Sequence, residues 1–135
     1  MLAQSMPKIS ADGKSYGITL RKGVKLHSGR DLNADDVVAS LKRWMEVSPR
    51  GKAVSAQVAD IVAKGPLNVE ISLKNAYAPL LSQLAMASGM AAIMAKESLA
   101  QPLREFVGSG PYKFKQRRPD QYVLLTRFDG YAARK

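Results

Sequence analysis

Few side chains in this sequence carry the chemistry of catalysis. There is one histidine, His27, and no cysteine. A chain without cysteine has no disulfide scaffold, no thiolate metal site and no thiol nucleophile. One histidine cannot build a His-rich metal centre. No Ser–Asp pattern near His27 supplies the third group that orients a catalytic base. His27 therefore reads as a turn or packing residue. Asp35 and Asp36 are adjacent, so on a helix they point in different directions instead of forming an acid–base pair. Their position fits the first turn of a helix, where negative charge meets the positive end of the dipole. Gly108-Ser109-Gly110 has the glycines of a phosphate loop but not the Gly-Lys-Ser/Thr that enters a helix. Pro111 and a strand come next instead, which reads as a tight turn where two backbones approach closely. Catalytic residues, metal ligands and cofactors are therefore expected to be absent.

Two further groups of residues could bind a partner. Met86, Met90 and Met94 are spaced i, i+4, i+8 and, if one helix aligned them, would offer a soft, adaptable apolar lining or equally a stripe of core. Gly89 interrupts that helix. The second group is basic: Lys113, Lys115, Arg117, Arg118, Arg127, Arg134 and Lys135. On one strand Lys113, Lys115 and Arg117 project from a single face, with Tyr112 and Tyr122 interleaved. That is the pattern of a nucleic-acid surface, and equally of the solvated side of a sheet. Neither a reader motif nor an RNA-type aromatic pattern accompanies it. A basic nucleic-acid-binding domain is the alternative reading of function.

The elements that must position these residues are set by periodicity. The chain has 135 residues, 46% of them hydrophobic and 24% charged, which is enough for one domain with a real core. The net charge of +10 invites an anionic partner. The most apolar stretch, residues 80–95, is broken by Ser82, Gln83, Ser88 and Gly89 and falls short of the roughly 20 residues a membrane helix needs. After the turn pair Asp12-Gly13, Tyr16, Ile18 and Leu20 alternate with Gly17, Thr19 and Arg21, the period of a half-buried strand. Residues 24–27 form a short extended piece ended by Ser28-Gly29. Asn33 opens a helix, with Asp36 three residues on as a variant of the capping box. Val37, Leu41, Trp44 and Met45 share its apolar face, and Pro49 and Gly51 mark its end.

Residues 58–63 and the alternating Val69, Ile71 and Leu73 form an antiparallel hairpin around Gly65. Tyr77-Ala78-Pro79 opens a short helix with Leu80, Leu81 and Leu84 buried; Pro79 suits its first position and Gly89 ends it. Residues 91–95 lean to strand, and 98–106 hold a helical turn limited by Pro102. Tyr112 to Gln116 and Tyr122 to Phe128 are the last strands, joined by the polar turn Arg117-Arg118-Pro119-Asp120. The fold class is α+β, mostly antiparallel, with two or three helices.

The order of motifs is also informative. Asp12-Gly13-Lys14-Ser15-Tyr16, Leu20-Arg21-Lys22-Gly23-Val24-Lys25-Leu26-His27-Ser28-Gly29 and Leu32-Asn33-Ala34-Asp35-Asp36-Val37-Val38-Ala39-Ser40-Leu41 come first. Gly108-Ser109-Gly110-Pro111-Tyr112-Lys113-Phe114 and Tyr122-Val123-Leu124-Leu125-Thr126-Arg127-Phe128-Asp129-Gly130-Tyr131 come last. Together they resemble the bacterial extracellular solute-binding proteins of family 5, which feed peptide and nickel ABC importers. Residues 69–73 and Tyr77-Ala78-Pro79-Leu80-Leu81 resemble that family's hairpin and the short helix after it. The sequence departs from the pattern at Leu26, where an aromatic residue is usual, at Arg117, where Trp is common, and after Tyr131, where a Trp is usual. These departures read as changes of surface packing.

The resemblance implies a periplasmic protein with two lobes and a hinge, which encloses a peptide or other small solute and delivers it to an inner-membrane ABC permease. It implies that residues 1–135 are a single domain within the first lobe, with 108–135 returning toward the main lobe sheet. The chain would then be an excised or proteolysed piece without the second lobe. No nucleic acid and no enzymatic activity are expected. The linker of residues 86–92 would border the cleft. Met86 and Met90 would give adaptable apolar contact, and Ser88 and Gly89 would expose backbone N–H and C=O groups to a peptide main chain.

Overall fold

The computed structural model describes residues 2–99 and 106–131. Four strands form an antiparallel sheet in the order β1-β2-β4-β3: β1 (Lys8–Ile9), β2 (Ser15–Thr19), β3 (Val58–Ala63) and β4 (Asn68–Leu73). Strand β4 shows why the period-two reading works. Val69, Ile71 and Leu73 are buried while Asn68, Glu70 and Ser72 turn to the other face. On β2, Tyr16 pairs with Ile71 and Ile18 with Val69. Strand β3 is an edge, opposite β1, and a register shift between Val58 and Asp60 lets both Val58 and Ile61 reach the core. Asp60 stays outside, 3.7 Å from Lys42.

Helix α1 (Ala34–Val47) covers one face of the sheet. Its start is a reciprocal capping box: the Asn33 side chain accepts from the Asp36 N–H at 3.1 Å, and the Asp36 carboxylate accepts from the Asn33 N–H at 3.0 Å. Val37, Leu41 and Trp44 are buried at helical spacing, and Met45 packs at the margin. Ser48 ends α1, as expected of the chain before Pro49. A second helix, α2 (Pro49–Ser55), begins directly after it with Pro49 in the first turn, where its missing N–H costs nothing. Gly51 lets α2 lie directly against α1: a Cβ at this position would fall 2.0 Å from the Trp44 carbonyl oxygen.

Helix α3 (Leu80–Ala85) places Leu80 in the core with Leu81 and Leu84 packed beside it. Pro79 is its cap and not its first residue. The helix stops at Ala85, because Met86 is extended, so Gly89 does not terminate it. The spacing of Met86, Met90 and Met94 therefore never becomes a helical stripe. Residues 91–95 are not a strand either; among the described residues their β pairing is limited to an isolated bridge between Met94 and Gly108. A single 3-10 turn, Lys96–Ser98, comes next. The remainder of the turn expected over 98–106, at residues 100–105, lies outside the described residues, as do Arg134 and Lys135.

Strands β5 (Tyr112–Arg118) and β6 (Tyr122–Arg127) pair as a separate two-stranded ribbon. Tyr112, Phe114, Tyr122, Val123, Leu124 and Leu125 are all exposed on it. Phe128 leaves the strand and is buried, edge-on to His27 with ring centroids 5.1 Å apart. Leu26 is fully buried, so its departure from the family pattern is a core substitution and not a surface one.

Candidate functional site

Residues 86–90 lie exposed across the ends of α1, α2 and α3. Gly89 and Met90 border a groove of about 460 Å³, whose other walls include Ser40, Trp44, Val47 and Leu99. Met86 and Ser88 are exposed and do not line it. Met86 is 42% exposed and Met90 59%, so neither packs in the core. Gly89 has a φ of +62°, a conformation glycine adopts without penalty.

The segment is fastened by two side chains from distant sequence. The Trp44 indole N–H donates to the Gly89 carbonyl at 2.7 Å. The Arg50 Nε donates to the Ser88 carbonyl at 3.1 Å, and its guanidinium also donates to Gln83 Oε1 and Met86 Sδ, both at 2.9 Å. The carbonyls of Ser88 and Gly89 are thus occupied within the protein, contrary to the expectation that they stand open. The next stretch is held by Ser40, whose hydroxyl donates to the Met94 carbonyl and accepts from the Met94 N–H.

A second clasp lies at the other end of α1. Asp36 is fully buried. It accepts both Arg30 terminal nitrogens and the Lys96 N–H. Arg30 continues to Glu97 at 2.8 Å, and Lys96 reaches Asp35 at 3.2 Å. Burial alone would raise the pKa of Asp36. The Arg30 guanidinium and the backbone N–H groups of Asn33 and Lys96 outweigh it and hold the carboxyl below its ordinary range. This is structural chemistry: it ties the loop before α1 and the 3-10 turn to the helix start.

His27 is placed by geometry as a clasp as well. Its Nδ1 accepts from the Gly108 N–H at 3.2 Å, which leaves Nε2–H to donate to the Gly110 carbonyl at 3.0 Å. The His27 N–H also donates to the Gly108 carbonyl at 2.8 Å. The close approach expected of Gly108-Ser109-Gly110 is therefore made to residue 27. Among the described residues, no group of three His, Asp or Glu side chains could hold a metal ion.

The basic face expected on β5 is not formed. A register shift at Lys115 puts Arg117 on the side of Phe114, and Lys113 on the side of Gln116 and Arg118. Lys113 lies over the Phe128 ring at 4.7 Å and Arg118 over Tyr122 at 5.8 Å. One extra residue in a strand flips every side chain beyond it.

An antiparallel sheet lies under α1 and α2, a ribbon is clasped to it through residue 27, and residues 89 and 90 border an open groove. The chain belongs to the bacterial extracellular solute-binding proteins, family 5 (middle region), which it matches over residues 1–135. It is 34% identical over 133 residues to a probable peptide ABC transporter periplasmic-binding protein, y4tO, of Sinorhizobium fredii, covering 94% of this chain and 25% of that protein. A dipeptide-binding protein from Pseudoalteromonas sp. SM9913, crystallised with Met-Leu, superposes with a TM-score of 0.84 at 29% identity, covering 98% of this chain and 31% of that one. NikZ from Campylobacter jejuni, crystallised with Ni(L-His), superposes with a TM-score of 0.83 at 26% identity, covering 100% and 28%. The chain spans about a quarter of the length of the curated relatives it matches.

Proposed function

We propose that this chain is part of the first lobe of the periplasmic substrate-binding component of an ABC importer. The whole receptor takes a di- or oligopeptide, or a similar small solute, between two lobes and delivers it to an inner-membrane permease. Residues 1–135 form one domain of that lobe, and 108–135 lead back toward its main sheet. The observation that carries this reading is the family match along the entire chain, joined to an exposed segment at 86–90 that Trp44 and Arg50 fasten beside an open groove. Met86, Ser88, Gly89 and Met90 are assigned to the wall that meets the solute. The receptor captures its solute without converting it.

Affinity in a hinged receptor comes from closure, which desolvates the ligand from both sides. Calorimetry on the full-length gene product with a panel of di- to oligopeptides tests the reading. Binding at micromolar affinity or better is expected, with the peptide recovered intact. Residues 1–135 alone are expected to bind none of the panel below about 1 μM, an affinity of about −8 kcal/mol. A full-length protein that ignores the panel and instead retains DNA or RNA in a strongly salt-dependent way would overturn it.

A further inference from the structure

Residues 86–90 carry two thioethers four positions apart, in unlike surroundings. Both side chains are open to solvent, Met86 at 42% and Met90 at 59% exposure. The Met86 sulfur accepts a hydrogen bond from the Arg50 guanidinium at 2.9 Å. Among the described residues nothing donates to the Met90 sulfur, and Met90 lines the groove. A thioether is oxidised through its sulfur lone pair, which takes an oxygen atom from a hydroperoxide. A lone pair already engaged by the N–H of a cation is less available for that step. Arg50 is kept in place by the Ser88 carbonyl and Gln83 Oε1, so its hold on Met86 is part of the fold.

We infer that Met90 is an oxidation site, where a hydroperoxide adds a polar oxygen to the groove wall, and that Arg50 guards Met86 against the same reaction. With hydrogen peroxide, the Met90 lone pair forms the S–O bond as the O–O bond breaks. Sulfur loses two electrons, the peroxide gains them, and the second oxygen leaves as water with both peroxide protons. The product is a polar, chiral sulfoxide that reductases convert back to the thioether, so the change is reversible. Its effect on solute binding rests on the reading of residues 86–90 as the wall of the cleft. Met6 is exposed as well, but it lies outside the groove, and its oxidation leaves the wall as it is.

The test uses the full-length gene product, hydrogen peroxide as the oxidant, and mass spectrometry with peptide fragmentation to follow each methionine. Met90 is expected to oxidise at least about fivefold faster than Met86, the factor in rate that one ordinary hydrogen bond supplies. Arg50→Gln should raise the Met86 rate to near that of Met90 and leave Met90 unchanged. Equal rates in the wild type would overturn the inference, and so would a Met86 rate that ignores Arg50→Gln. A rise shared by Met90 marks a loosened segment and overturns it too. Solute affinity is then read, after the peroxide is removed, with a methionine-free peptide that binds the unmodified protein. Oxidation should weaken it at least about fivefold, because the solute must cover a sulfoxide oxygen that has no partner. Methionine sulfoxide reductases should restore it. Met90→Leu, whatever affinity it starts from, should lose none of it to peroxide; the same loss in that variant would place the effect at another methionine and overturn the role of Met90. If Met90 oxidises first while affinity is untouched, the reading of residues 86–90 as the solute wall fails and the oxidation site stands.

Discussion

The carboxylate of Asp36 accepts both terminal nitrogens of Arg30, at 2.8 and 3.0 Å, while being fully buried itself. Asp36 also closes the capping box of α1 and anchors the Lys96 N–H. Asp36→Asn keeps the shape but removes the charge that answers Arg30. Unpairing such a group is expected to cost about 2–4 kcal/mol, read as a lower midpoint in urea with an unchanged slope. A loss below about 0.5 kcal/mol, the size of an ordinary surface change, would show that the pair contributes little.

The same carboxyl sets a pH dependence. Its folded pKa lies below the ordinary value of 3.8, so the unfolded chain takes up a proton at higher pH than the folded one. The stabilisation is complete well above that ordinary value and is lost as the pH falls through it toward the folded pKa. The thermal midpoint of the wild type should therefore fall on acidification below about pH 4. The Asp36→Asn variant should show a shallower fall over the same range.

His27→Phe preserves an aromatic ring beside Phe128 and removes both ring hydrogen bonds to the 108–110 turn. The expected loss is about 1–2 kcal/mol. Amide exchange should localise it, with the Gly108 N–H exchanging faster while the Asp36 N–H in the capping box is unchanged.

Gly51→Ala forces a methyl group onto the Trp44 carbonyl, and backbone cannot yield as a side chain can. Helix α2 must shift, at about 1–3 kcal/mol for overpacking. Arg50 moves with it, so solute affinity in the full-length protein should fall as well. An unchanged midpoint would mean that the two helices separate at little cost.

Much of this architecture is legible along the chain because its signals are local. Asn33 and Asp36 announce α1 three residues apart, and Val69, Ile71 and Leu73 announce β4 by alternation. Helix α2 escapes such reading because Pro49 and Gly51 look like stops; in fact Pro49 suits a first turn, and Gly51 answers a contact with Trp44. Strand β1 has two residues, too few for any period. The register shift at Lys115 leaves no mark in composition. Residues 86–90 can be singled out by their small and methionine side chains. Their orientation cannot, since it depends on Trp44 and Arg50, 45 and 38 positions away from their partners.

The β5–β6 ribbon has a practical consequence. A pair of strands wetted on both sides is marginal in water, and its outer backbone edges are unpaired among the described residues. Such edges are templates on which further chains can stack. When residues 1–135 are handled alone, precipitation is expected to begin there, and Val123→Lys or Leu125→Glu is the remedy to try first.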